Sequence, residues 1–202
     1  MTTITVDGLG ERHLRAERAT LTARVAIAHA DRDRSMAQGA SVHSLLAERA
    51  VRLRDAGDAT WHSVEVLTTT VRVWTDKDGK KHHDHVTSGL VRIKLSRLER
   101  VSDVVADLSA LGASVSTEWA LTEATRERTT RELRAVAVRD ARAKADDFAA
   151  ALGTTVSGVS AIRSSAGPAV AAFRGAAGGG ADDLTVPEIT VSVAVTGDFE
   201  AD

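Results

Sequence analysis

The sequence predicts an α+β fold in which helices pack on an antiparallel or mixed β-sheet. Segments with a two-residue apolar period, typical of half-buried strands, alternate with segments whose apolar residues recur at helical spacing. Several of the strands carry polar residues on one face, which favours antiparallel or mixed pairing over a fully buried parallel sheet. The predicted order is β-β-α-β-β-α-β-α-β-β, with a long projecting hairpin, in a single domain over residues 1–202.

The first predicted elements are two strands and a helix. Ile4 and Val6 alternate with Thr and form a short strand that Asp7-Gly8 interrupts, and residues 20–27 form a second strand. A helical period follows from about Asp31 to Ala56, where Gly57 is suited to a left-handed cap. One face of this helix is expected to point inward, formed by Val42, Leu46, Ala50 and Leu53.

The next predicted feature is the long hairpin over residues 64–95. Val64 and Val66 begin a strand that Val71 and Val73 continue with the opposite parity, so an extra residue, a β-bulge, is expected near 67–70. Residues 76–80 (Asp-Lys-Asp-Gly-Lys) have turn chemistry. The returning strand carries its apolar residues in alternation, at Val91, Ile93 and Leu95.

A capping box is predicted at residues 96–99 (Ser-Arg-Leu-Glu), at the start of a second helix. This helix is expected to bury Leu98, Val101, Val105, Leu108 and Leu111 and to end at Gly112. A strand over residues 115–121 follows it.

The longest predicted helix spans residues 122–152. Its apolar stripe is expected to consist of Leu133, Ala137, Ala141, Ala145, Phe148 and Leu152. A weaker strand follows at 156–162, and a clean alternating strand at 189–195 closes the chain. The Ala/Gly-rich segment between them, residues 164–183, has too little apolar content to offset its ordering entropy and is predicted to be a mobile loop.

Composition excludes several classes of function. There are 26 basic and 28 acidic residues and a net charge of −2, which provides no electrostatic footprint for nucleic acid. The absence of Cys excludes disulfides, thiol redox chemistry and Cys-ligated zinc. No apolar stretch is long enough to span a membrane. The first residues lack the features of a signal peptide, so a cytoplasmic location is expected.

The hairpin carries the candidate functional residues. His82, His83 and His85 follow the turn and could bind zinc, copper or nickel, although solvated turn residues are the simpler interpretation. In a strand, His83 and His85 share one face and His82 does not. Trp74 with Val71 and Val73 is the candidate contact for a second copy of the chain, since exposed aromatic residues suit protein–protein interfaces.

Motifs for other chemistry are weak or missing. No Ser lies in a Gly-x-Ser-x-Gly motif, and Gly178-Gly179-Gly180 is not followed by the helix that a phosphate loop requires. Arg and acidic residues interleave along the long helix, as on a solvated face. We therefore expect no enzyme activity and no cofactor, although a hydrolase site assembled in space stays open.

Four segments in sequence order resemble the SIMPL-domain family, a large bacterial group of unknown function. They are the opening strand and glycine turn at 4–10, the Leu-Gly-Ala helix end at 108–113, the Ala-rich segment at 137–153 and the closing strand at 187–193. The resemblance implies an α+β fold, assembly into large rings or channels in some members, and an association with oxidative-stress defence. It implies no catalytic residues.

Two hypotheses of different classes follow from these observations. The first is a non-enzymatic protein that assembles with itself through the hairpin. The alternative is a stress protein that binds a metal or small ligand at the histidine tip, residues 82–85. The mass of the protein in solution and its metal content distinguish the two hypotheses.

Overall fold

A computed structural model describes residues 2–164, 169–170, 174–176 and 185–202. Its elements in chain order are β1 (Thr2–Arg15), β2 (Arg18–His29), α1 (Arg32–Asp55), β3 (Ala59–Val64), β4 (Thr68–Thr75), β5 (Lys81–Leu95), α2 (Val101–Ala110), β6 (Ser114–Ala120), α3 (Glu123–Ala151), β7 (Val156–Ser164), β8 (Ala169–Val170), β9 (Arg174–Ala176) and β10 (Glu188–Ala201). The strand pairs of the described residues are all antiparallel. The predicted α+β class and element order are therefore confirmed, with β3 and β4 together forming one predicted strand.

The described elements group into two compact units. The first unit contains β1, α3, β7, β8 and β10, and the second contains β2–β6, β9, α1 and α2. A single domain over residues 1–202 stays a prediction. Most of the predicted mobile loop at 164–183 lies outside the described residues, apart from Ser164 at the end of β7 and the short strands β8 and β9.

In the first unit, α3 packs on a sheet with the strand order β1-β10-β7, and β8 also pairs with β10. β10 shows the most regular alternation of buried and half-buried residues in this sheet, because every second residue from Ile189 to Ala201 is buried. Their regular alternation is what the sequence pattern predicts for a strand with one covered face. The core of this unit consists of Ile4, Val6, Leu133, Ala137, Ala141, Ala145, Ala149, Val191, Val193, Val195, Phe199 and Ala201.

The prediction that Asp7-Gly8 ends the first strand is wrong, because β1 continues to Arg15. Gly8 and Gly10 lie inside the strand where α3 crosses it. A Cβ atom on Gly8 would lie 2.0 Å from the carbonyl oxygen of Ala137, and one on Gly10 would lie 2.5 Å from that of Leu133. These glycines therefore permit close approach of helix and strand and do not form a turn.

The buried stripe of α3 repeats every four residues from Thr125 to Ala149. A four-residue spacing exceeds the helical repeat of about 3.6, so the stripe winds around the helix as an i±4 ridge. At the C-terminal end the ridge passes through Ala149, and Phe148 and Leu152 are 58% and 63% exposed. The prediction that Phe148 and Leu152 belong to the buried stripe is therefore wrong.

In the second unit the strand order is β3-β5-β2-β6-β9, and β4 pairs with β5. α1 packs on β5, β2 and β3, and α2 packs on β6 and β2. The predicted inward residues Leu46, Ala50 and Leu53 of α1 are buried, but Val42 is only half-buried because the neighbouring His43 takes the inward position. The core is completed by aliphatic residues of the strands and α2, among them Leu21, Val25, Val91, Ile93, Leu95, Val101, Val104 and Leu108.

The parity change in the hairpin has the expected cause. Val64 pairs with Val91 and Thr68 pairs with Ser88, so three residues on one strand oppose two on the other. One extra residue therefore shifts the register, although it lies at residues 65–67 and not at 67–70. The extra residue also divides the predicted strand into β3 and β4.

The predicted capping box at residues 96–99 is wrong. The Ser96 hydroxyl donates to the carbonyl oxygen of Asp58 at 3.4 Å, and a short 3₁₀ turn at Leu98–Arg100 precedes α2. Within the described part of the chain, the N-cap residue of α2, Arg100, makes no side-chain capping hydrogen bond. The helix buries Val101, Val104 and Leu108, whereas Leu98, Val105 and Leu111 are half-buried.

Candidate functional site in the hairpin

The turn between β4 and β5 is organised by Asp76. One of its carboxylate oxygens, Oδ1, accepts the backbone N–H groups of Asp78 at 3.0 Å and Lys80 at 2.8 Å. Gly79 has φ of +78°, a conformation that favours glycine. The local sequence Asp-Lys-Asp-Gly-Lys therefore forms the turn that its composition predicts.

The turn sets the register of the strands on either side. Val71 pairs with His85, Arg72 with Asp84, Val73 with His83 and Trp74 with His82. On the other edge of β5, pairing with β2 ends at the His29–His85 pair. Beyond this pair the hairpin continues as two strands, and residues 71–85 are called the hairpin arm below.

One face of the hairpin arm carries a polar and aromatic network. A single carboxylate oxygen of Asp84, Oδ2, accepts hydrogen bonds from the Arg72 guanidinium at 2.8 Å and the Trp74 indole N–H at 2.9 Å. The rings of Trp74 and His82 are stacked with their centroids 4.4 Å apart. The His82 Nε2 atom lies 2.7 Å from Oδ2 of Asp76. The network therefore joins the turn to both strands.

Hydrogen bonds stabilise the charged forms of the two carboxylates in this network, Asp84 and Asp76. The bond to Arg72, and after it the bond to Trp74, lowers the pKa of the Asp84 carboxyl. The bond to His82 and the Lys80 N–H lower the pKa of the Asp76 carboxyl. Both carboxylates therefore stay charged at neutral pH, which suits their role as acceptors.

The opposite face of the hairpin arm is apolar at its centre. Val71 and Val73 lie there and are 58% and 55% exposed. Their cross-strand neighbours on this face are His85, half-buried, and His83, exposed. Toward the base of the hairpin, the buried Thr87 lies 2.9 Å from both the Ser35 and the Thr69 hydroxyl oxygens.

The structure separates some of the predicted site residues. Trp74 lies on the opposite face from Val71 and Val73, so the three predicted contact residues do not form one patch. His83 and His85 share a face and His82 lies on the other, as strand geometry predicts. Within the described residues, no three His, Cys, Asp or Glu side chains are grouped as a metal ion would need.

Sequence reasoning missed Asp84 and Asp76 as the centres of the network. The signal was present in the turn, because a hairpin closed at 76–80 pairs residue 72 with 84 and residue 74 with 82. Side chains of directly paired residues lie on the same face and within contact distance. The register could therefore have placed Arg72, Trp74, His82 and Asp84 together.

The chain matches a known protein family over almost its whole length. A family profile named SIMPL and described as protein of unknown function (DUF541) matches residues 4–199. No significant match was found among curated proteins. In the described part of the chain, each helix is either too short or too polar to cross a membrane.

Proposed function

The chain belongs to the SIMPL family, whose description names no activity, and we propose that it is a non-enzymatic protein that assembles with itself through the hairpin arm. The observation that carries this proposal is the pair of exposed valines, Val71 and Val73, at the centre of one face. Apolar, β-branched side chains on an extended strand are typical of surfaces that a partner strand or sheet covers.

The edge of the hairpin supports the same proposal. Among the described strands, β4 pairs with β5 alone, so β4 has an edge available for a further strand. Edges of natural sheets are protected by charge, proline, bulges or a partner. Within β4 only Arg72 is charged, and Asp84 binds its guanidinium on one face.

The Trp74 network defines how the arm would be used. The indole N–H already donates to Asp84, and His82 covers one face of the indole ring. Trp74 therefore stabilises the shape of the arm, and its remaining 43% exposure makes it a secondary contact. We assign the main contact between copies to the valine face, which is the face of the arm that carries Val71 and Val73. The polar face with the Trp74 network would hold the arm in the orientation that this contact needs.

The first test replaces both valines by lysine. In the double variant Val71→Lys with Val73→Lys, the aliphatic part of each lysine side chain can still lie on the strand, but the contact face now carries two charges. The oligomer is therefore expected to dissociate. Val159→Lys is the matched control, because Val159 is also on a strand and is 51% exposed in the first unit. Light scattering after size exclusion and sedimentation equilibrium measure the masses. A monomeric unmodified protein at high micromolar concentration contradicts the proposal.

A second test removes the arm. Joining Thr70 to Val86 by a short Gly-containing turn deletes the valine face and the Trp74 network together. The deletion ends before Thr87, because Thr87 is only 1% exposed and its hydroxyl is bonded to that of Ser35, so its removal would disturb the core. A species with fewer subunits that keeps the helical circular dichroism signal is expected, whereas an unchanged number of subunits contradicts assembly through the arm.

Metal binding at the histidine tip, residues 82–85, stays the alternative, and we favour His83 and His85 as its ligands because these two lie on one face. Elemental analysis of protein purified without a His tag tests it: a stoichiometric metal that His83→Ala with His85→Ala removes would support the alternative. The link to oxidative-stress defence and the cytoplasmic location remain predictions.

A further inference from the structure

β1 is a long edge strand. It has 14 residues and lies at one end of the sheet order β1-β10-β7. A long, flat edge exposes backbone N–H and C=O groups that can pair with another chain. Its residues 2–15 pair with β10 on one side. The described strands include no second neighbour for β1.

Two side chains of α3 reach the backbone of this edge. Asp140 accepts the backbone N–H of Leu9 on Oδ2 at 2.8 Å, and Lys144 donates from Nζ to the carbonyl oxygen of Asp7 at 3.0 Å. The same two side chains also bond to each other at 2.7 Å. We call Asp140 and Lys144 the edge clamp.

The close approach of helix and strand makes this reach possible. Gly8 lies between the two bonded residues, and its missing side chain lets α3 approach within contact of the β1 backbone. Asp140 and Lys144 are one helical turn apart, so both project toward the same part of the strand. The Leu9 N–H and the Asp7 C=O bond to the clamp, which indicates that both groups point away from β10 and toward the open edge of β1.

We propose that Asp140 and Lys144 close the middle of the β1 edge to the addition of another strand. A strand that added along the middle of β1 would need the Leu9 N–H and the Asp7 C=O as hydrogen-bond partners, and both are occupied. The charged pair also places a carboxylate and an ammonium group where an apolar strand would pack. This is a device against uncontrolled edge-to-edge pairing.

The energetics separate this role from a purely structural one. The side chains of Asp140 and Lys144 are 36% and 47% exposed, and ion pairs at this exposure contribute little to folding. Lys144 first, and then the Leu9 N–H, lowers the pKa of Asp140, so the carboxylate is charged at neutral pH. Removing the clamp should therefore change association more than stability.

The experiment compares Asp140→Ala with Lys144→Ala against the control Glu48→Ala with Arg52→Ala. The control pair is also an exposed i,i+4 ion pair, on α1, with side chains 62% and 59% exposed. Amide hydrogen exchange measured by NMR should show the Leu9 N–H exchanging roughly tenfold faster or more in the clamp variant. The Ile4 and Val6 amides, in the same strand, should change much less.

Association is the second readout. Sedimentation velocity over a concentration series should show additional heavier species for the clamp variant and not for the control or the unmodified chain. An unchanged Leu9 exchange rate, or an unchanged size distribution with faster exchange, overturns the proposal. Should the double variant fail to fold, Lys144→Met removes the bonds of Lys144 to Asp7 and to Asp140 and leaves the bond between Asp140 and the Leu9 N–H. An unchanged size distribution for this variant also overturns the proposal.

Discussion

Gly8→Ala tests whether β1 and α3 pack as closely as the structure indicates. The added Cβ atom would lie 2.0 Å from the carbonyl oxygen of Ala137 and 2.7 Å from the backbone nitrogen of Ala141. Ordinary contact begins at 3.4 Å, so the helix must withdraw by about 1.4 Å. Both clashing atoms belong to the backbone and no rotamer change can relieve the overlap.

The expected cost follows from the packing that the withdrawal disturbs. A gap of about 0.5–1 Å already removes a quarter to a half of the dispersion energy between facing atoms. The ridge from Leu133 to Ala149 would lose such contacts along β1 and β10. Overpacking costs about 1–3 kcal/mol in typical cores, and we expect about 3 kcal/mol here because the contact is with backbone. For a chain of this length, that corresponds to a fall in melting temperature of about 6–12 °C.

Gly158→Ala is the matched control. Gly158 lies in β7 of the same sheet, and the nearest atoms to its added Cβ atom would all belong to the Glu200 side chain, with the carboxylate oxygen Oε2 closest at 3.3 Å. That flexible side chain can move, so the variant is expected to be neutral or more stable by about 0.5 kcal/mol. Urea unfolding followed by circular dichroism measures both variants. Equal stabilities of the two variants would refute the close-approach argument.

Three further predictions concern single groups. His43→Leu should stabilise the protein by about 1 kcal/mol in urea unfolding, because Nε2 of the buried His43 has no hydrogen-bond partner among the described residues. A loss of stability would contradict this prediction. The pKa of Asp140 is lower in the folded state, so acidification should remove the stabilisation by this carboxylate as pH falls below about 4. Urea unfolding of Asp140→Asn at a series of pH values should therefore show a smaller loss of stability with falling pH than that of the unmodified protein. Metal-free protein should not turn over hydrogen peroxide in a peroxidase assay, because the chain has no Cys.

Much of the local structure could be predicted from apolar periodicity. The alternation in β2, β5 and β10 and the ends of α1, α2 and α3 at Gly57, Gly112 and Gly153 follow the sequence pattern, and all three glycines have positive φ. These features depend on residues close in sequence, so the sequence alone is enough to predict them. The parity change between Val66 and Val71 likewise predicted the extra residue of the hairpin.

Prediction failed where a residue's role depends on a distant partner. Gly8 resembles a turn glycine in sequence, but α3, more than 120 residues later, requires it. Ser96 has the sequence of a cap, but its hydroxyl bonds to Asp58. Phe148 matches the apolar period, but the ridge leaves it exposed. In each case two local assignments were compatible, and packing selected one of them.

The candidate site divides in the same way. The sequence by itself determined that a hairpin with a turn at 76–80 carries alternating valines and histidines, because strand parity depends only on spacing. Only the tertiary structure decided that Asp84 binds both Arg72 and Trp74 and that Asp140 with Lys144 reaches β1. Hydrogen bonds of this kind require atoms to meet within about 3 Å, and the positions of those atoms are set by how the elements pack.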